Sequence, residues 1–205
     1  MLTLYDYLPS GNGYKVRLLL TQLGIPFKGI ELDIVKGETR TPEFLAMNLN
    51  GRIPLLQLDD GTYLAESDAI LFYLAEGTPF LPDGKLERAQ VPQWMFFEQY
   101  SHEPNIATVR FWMHTEITDE RRIVLPLKRR LGYAALEVMD KHLANRSFFV
   151  GERYTIADIA LYAYTHVASE GGFDLVPYGN VNAWLERVRA QPRHLPITQA
   201  LPDPT

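Results

Sequence analysis

Residues 55–74 read LLQLDDGTYLAESDAILFYL, and the order of patterns in this stretch decides the fold. Leu55 to Leu58 is a short apolar run with strand character. Asp59-Asp60-Gly61 carries hairpin-turn chemistry, and Thr62 to Leu64 is the returning strand. Ser67 then caps an apolar helix expected to run to about Glu76. Working outward toward the N-terminus, residues 2–5 read as a strand. Val16, Leu19, Leu20 and Leu23 share one face of a helix over 13–24, closed by Gly24 and Pro26. Phe27 to Leu32 alternates as a strand, and Thr41-Pro42-Glu43 opens a short helix that ends near Asn48. The order β-α-β-α-β-β-α predicts a mixed four-stranded sheet with helices on both faces.

Working toward the C-terminus, Gly77 to Gly84 holds two glycines and two prolines and reads as a linker. Beyond it strand signals vanish. Residues 87–115, 119–143, 155–168 and 180–190 favour helix, with Pro104 and Pro126 expected to kink or interrupt the first two. Thr155 and Asp158 form a capping box. The tail from Pro202 to Thr205 reads as frayed. The predicted organisation is an α/β domain over 1–77, a linker over 78–86 and an all-α domain over 87–205.

Composition narrows the chemistry. The chain has 205 residues, 46% of them hydrophobic, and a net charge of −5. That balance argues against a nucleic-acid surface, and the basic run Arg121, Arg122, Lys128, Arg129 and Arg130 reads as a solvated helix face. There are no cysteines, which excludes disulfides, thiolate metal sites and a protein-borne cysteine nucleophile. The five histidines lack metal-ligand spacing. No apolar stretch approaches a bilayer span, and Met1 to Asp6 lacks a signal-peptide pattern, so the reading is a soluble, cytoplasmic protein with no membrane partner.

Three features fall at the ends of elements, where α/β folds place ligands. Ser10-Gly11-Asn12-Gly13 precedes the first helix, whose N-terminal N–H groups and dipole suit an anion such as a thiolate. Ile53-Pro54 precedes a strand, and a cis bond there would free the Ile53 N–H and C=O for an extended peptide. Glu66-Ser67 opens a helix: Glu66 can accept from an α-ammonium, while the Ser67 hydroxyl and nearby N–H groups can receive a carboxylate. Each alone is ordinary turn or cap chemistry. Together they describe a cradle for γ-glutamyl-cysteinyl-glycine.

The residues that carry this reading also carry a resemblance. Asn48-Leu49-Asn50-Gly51-Arg52-Ile53-Pro54, Glu66-Ser67-Asp68-Ala69-Ile70-Leu71-Phe72-Tyr73-Leu74 and Tyr154-Thr155-Ile156-Ala157-Asp158-Ile159-Ala160, in that order, resemble the cytosolic glutathione transferase family over essentially the full length. The loop is similar to those of the serine-type and Nu-like bacterial classes.

The resemblance implies a thioredoxin-like first domain, an all-helical second domain and a homodimer. It implies glutathione as co-substrate, no permanently bound cofactor and no metal. Ser10 and Asn12 would serve the sulfur, with Tyr5 and Tyr7 as nearby alternatives. Ile53 and Pro54 would face the cysteinyl backbone, and Glu66 and Ser67 the γ-glutamyl end. Arg40 or Arg52 would take the glycyl carboxylate, because Thr39 stands where relatives often carry His or Gln. A small hydrophobic electrophile is expected between the domains, near Tyr7, Tyr100, Asn105, Val109, Phe111 and Trp112. The expected reaction is thiolate conjugation to that electrophile. Glutathione-dependent disulfide or peroxide reduction, a non-catalytic binding module, and isomerisation or dehalogenation remain as alternatives.

Overall fold

Strand β1 (Leu2–Asp6) places Leu4 and Asp6 on one face of the sheet and Tyr5 on the other, the period-two alternation of an extended chain. Both faces are covered. The computed structural model, which describes residues 1–201, gives strand order β2-β1-β3-β4 with β2 at Phe27–Glu31, β3 at Leu55–Gln57 and β4 at Tyr63–Ala65. β1 pairs with β2 in parallel and with β3 antiparallel, and β3 pairs with β4 antiparallel. The parallel pair needs a crossover, supplied by α1 (Gly11–Leu23). Gly24 ends that helix at φ 69°, with its N–H bonded to Leu20 and Thr21.

On the Asp6 face, α1 packs against α3 (Ser67–Ala75). On the opposite face, Tyr5 meets Phe44 of α2 (Pro42–Met47) edge-on at 6.2 Å. Thr41 caps α2 by accepting from the Phe44 N–H, with Pro42 at the first position as expected. A short 3₁₀ turn at Glu38–Arg40, which the sequence pattern did not signal, buries Thr39.

The chain divides into two compact units: Met1–Glu76 together with the segment from Pro192 onward, and Gly77–Gln191. This departs from the expected all-helical domain over 87–205, because the described residues from Pro192 join the first unit. Arg17 explains why. Its buried guanidinium donates to the carbonyls of Ile197 (3.1 Å), Gln199 (3.2 Å) and Leu8 (2.8 Å), while Tyr14 Oη donates to Leu195 O. Charged donors bonded to carbonyls are stronger than neutral ones, so the clasp is firm. The expected fraying from Pro202 to Thr205 lies outside the described residues.

The second unit holds α4 (Lys85–Phe97), a π turn at Glu98–His102, α5 (Glu103–His114), α6 (Asp119–Leu143), α7 (Ile156–Thr165) and α8 (Gly179–Arg189). Every residue of α7 is buried. Asp158 fixes its start: Oδ2 accepts from the Thr155 N–H (2.9 Å), and Oδ1 accepts from the Phe149 N–H (3.1 Å) and the Trp184 indole (2.9 Å). The interruption expected at Pro104 occurs, since the π turn precedes it. The one expected at Pro126 does not. Pro126 lies in the first half of α6, where its neighbours face solvent and buried positions begin only at Gly132. The carbonyl it leaves unbonded, that of the exposed Arg122, can be hydrated.

Among the described residues, no helix is long and apolar enough to cross a membrane, and no group of three potential ligand side chains could hold a metal ion.

Candidate functional site

The loop after β1 turns sharply into α1. The Ser10 N–H donates to Tyr7 O (2.7 Å), and the Ser10 carbonyl accepts the Tyr14 N–H (2.9 Å). Ser10 is the N-cap, its Oγ accepting from the Gly13 N–H at 3.3 Å. Capping uses a lone pair of the hydroxyl and leaves its proton free to donate. Gly13 is required here: a Cβ would sit 1.5 Å from Oδ1 of Asp6. Asp6 is fully buried beneath the loop, paired with Arg17 Nε at 2.8 Å and accepting from the Tyr7 N–H. Burial pushes its carboxyl up to about 6, against the opposing pull of Arg17.

Asn12 lies in the first turn of α1, and its Oδ1 accepts from the Ser67 hydroxyl at 3.3 Å. The loop and the start of α3 are therefore in direct contact, as a common site requires. Lys15, one turn further along α1 and completely buried, donates to Ser67 Oγ (3.3 Å) and pairs with Asp68 (3.1 Å). The resemblance to the serine-type classes marks Lys15 only as the basic residue five positions after Ser10, and its burial and its bonds to Ser67 and Asp68 do not follow from the sequence, because a lysine in a helix ordinarily reads as solvated. Asp68 was not expected at the site.

Glu66, immediately before α3, is exposed and holds φ 68°, a conformation that costs a non-glycine residue on the order of 1–3 kcal/mol. It makes no capping hydrogen bond. Such strain in an exposed acidic residue points to a role for its side chain.

The Ile53–Pro54 bond is cis, and the β3 ladder begins only at Leu55. The preceding loop is anchored by Asn48, whose Nδ2 donates to Arg52 O (2.8 Å) and whose Oδ1 accepts the Asn50 N–H (3.1 Å). Arg40 donates to Asn50 O at 2.9 Å. Arg40 and Arg52 both remain exposed, while Thr39 is buried.

The residues expected around a second substrate scatter. Tyr7 is half-buried in the first unit. In the second unit Tyr100 is 88% exposed, whereas Val109 is fully buried and belongs to the core, a correction to its expected place on a pocket wall. Asn105 is nearly buried and donates to Ser101 O, and Trp112 lies under the Arg121 guanidinium. Tyr100 and Asn105 border an open hollow of about 520 Å³ shared with Phe97, Pro104, Lys128 and Leu131.

One unit is a mixed α/β sheet that carries a helix-capping loop, a cis-proline and a strained acidic residue, and the other is helical. Residues 1–76 match the glutathione S-transferase N-terminal domain and residues 106–192 the glutathione S-transferase C-terminal domain, and the chain belongs to this family. A glutathione S-transferase from Pseudomonas fluorescens Pf-5 is 51% identical, covering 97% of this chain and 99% of that one, at a TM-score of 0.94. The disulfide-bond oxidoreductase YfcG of Escherichia coli K12 is 33% identical over 94% of this chain and 92% of its own length. The transcriptional regulator URE2 of Saccharomyces cerevisiae is 29% identical, and the chain spans 65% of that longer protein.

Proposed function

We propose that this protein is a glutathione transferase that activates the thiol of glutathione for attack on a small hydrophobic electrophile. The observation that carries the reading is the bond between Ser67 and Asn12, which joins the two ends of a peptide cradle into one site. Glu66 accepts from the γ-glutamyl ammonium. The N–H groups at the start of α3 receive the neighbouring carboxylate, the Ser67 hydroxyl being engaged with Asn12. The Ile53 backbone pairs with the cysteinyl unit, and Arg40 or Arg52 holds the glycyl end. The sulfur then meets the start of α1, where the Ser10 hydroxyl and the Asn12 carboxamide donate to it. A free thiol with a pKa near 8.5 is mostly protonated at neutral pH. Donors and the helix dipole stabilise the thiolate, and more thiolate means faster attack.

Reduction of disulfides by glutathione is a second reading, favoured by Asn12 in the first turn of α1 and by the 33% identity to a disulfide-bond oxidoreductase. The test is retention on immobilised glutathione, followed by turnover of a chlorinated nitroarene and of a small mixed disulfide. Ser10→Ala and Asn12→Ala are each expected to raise the thiol pKa of bound glutathione or to cut turnover about tenfold or more. Full activity in both variants refutes the role given to the loop.

A further inference from the structure

The geometry points to Lys15 and Ser67 as positioning residues: a buried relay that fixes which end of the Asn12 carboxamide faces the sulfur. The inference rests on the glutathione reading above and adds the device that makes Asn12 a donor. The argument is a proton count. An ammonium group can only donate, so the 3.3 Å contact from Lys15 Nζ occupies a lone pair of Ser67 Oγ. The single hydroxyl proton of Ser67 must then point elsewhere. It points at Asn12 Oδ1, also at 3.3 Å.

A carboxamide held by its oxygen presents its NH₂ group from the opposite end. Rotating Asn12 by half a turn would place its NH₂ against the Ser67 hydroxyl and forfeit the acceptor that the hydroxyl proton uses. Lys15 thus sets the polarity of Ser67, and Ser67 sets the polarity of Asn12.

Three further observations fit. Lys15 is completely buried and Ser67 is 5% exposed, so water does not compete readily for either bond. Asp68 pairs with the ammonium at 3.1 Å, holding the charged group in this position. Lys15 follows Asn12 by three residues, so the same helix face carries both and the relay is rigid. An amide oriented oxygen-first toward the sulfur would repel a thiolate. Orientation therefore changes the sign of its contribution, whereas a role in packing alone would not touch the thiol.

The experiment measures the thiol pKa of enzyme-bound glutathione by ultraviolet thiolate absorbance, in a cycle of Lys15→Met, Asn12→Ala and the double variant. Binding of S-methylglutathione, which lacks the thiol, is measured alongside. Lys15→Met is expected to raise the thiol pKa by about one unit, roughly tenfold less thiolate near neutrality, while S-methylglutathione binding changes little. In the Asn12→Ala background the same substitution is expected to add nothing. Ser67→Ala is run through the same cycle for the thiol pKa alone, with the same expected rise and the same loss of effect in the Asn12→Ala background, so the relay stays testable if Lys15→Met does not fold. An equal pKa rise with and without Asn12, or no rise at all, overturns the relay. Failure of the unaltered protein to bind S-methylglutathione instead overturns the glutathione reading itself, so the two failures are distinguishable.

Discussion

Replacing Asp158 by alanine should cost the second unit much of its stability. The carboxylate is fully buried and accepts from two backbone N–H groups, of Phe149 and Thr155, from the Trp184 indole N–H and from the Thr155 hydroxyl. The hydroxyl can rotate to another acceptor, but alanine leaves the three N–H donors stranded in the core, at about 1–3 kcal/mol each. Part of that is returned, because the ionised carboxylate is itself expensive to bury, as its upward shift to about 6 shows. A net loss on the order of 3–5 kcal/mol remains, a large fraction of what holds a domain together. At about 2–4 °C per kcal/mol for a chain of this size, the melting temperature should fall by on the order of 10 °C. Asp158→Asn keeps the shape but turns an NH₂ toward one of the donor groups, so it should lose roughly half as much. Thermal and urea denaturation followed by circular dichroism give both numbers. An alanine variant melting within about 3 °C of the unaltered protein would refute the claim that this carboxylate organises the helical unit.

Asp6 and Asp158 are both raised to about 6. The folded state therefore holds protons that the unfolded chain releases. Stability contributed by these groups is present at low pH and is lost as pH rises from about 4 to about 6. Asp158→Asn should remove up to about one proton from that slope, as read from urea midpoints across the range. Glu66→Gly should raise stability by about 1 kcal/mol by relieving φ 68° while weakening glutathione binding; Glu66→Ala, which keeps the strain, should weaken binding without the gain. Calorimetry and titration separate the two effects, and equal melting temperatures for Gly and Ala would count against stored strain. Gly13→Ala drives a methyl into Asp6, so retention on immobilised glutathione should be lost along with the loop geometry.

Local chemistry made most of the fold legible. Thr41-Pro42, Thr155 with Asp158, and Asp59-Asp60-Gly61 are signals whose partners lie within a few residues, and each element formed where they placed it. Pro126 misled, because a proline is harmful only where its freed carbonyl has no solvent. Pro92 lies within α4 and passed unremarked for lack of any such cue. The path of the last described residues was not legible, since the arginine that fixes it stands 180 positions upstream. The site divides in the same way. Ser10, Asn12, Glu66 and Ser67 sit at element ends and could be named from turn and cap chemistry. Lys15 and Asp68 act through contacts across the sequence, and burial of a lysine leaves no periodic mark.

The clasp of Arg17 on Ile197 and Gln199 also bears on how the chain is made. Synthesis delivers the sheet and its three helices early, yet the Ile197 and Gln199 carbonyls that Arg17 bonds follow only after the second unit has been translated. Until then the guanidinium has Leu8 O and the Asp6 carboxylate alone, so the first unit completes its packing only once the second has been made.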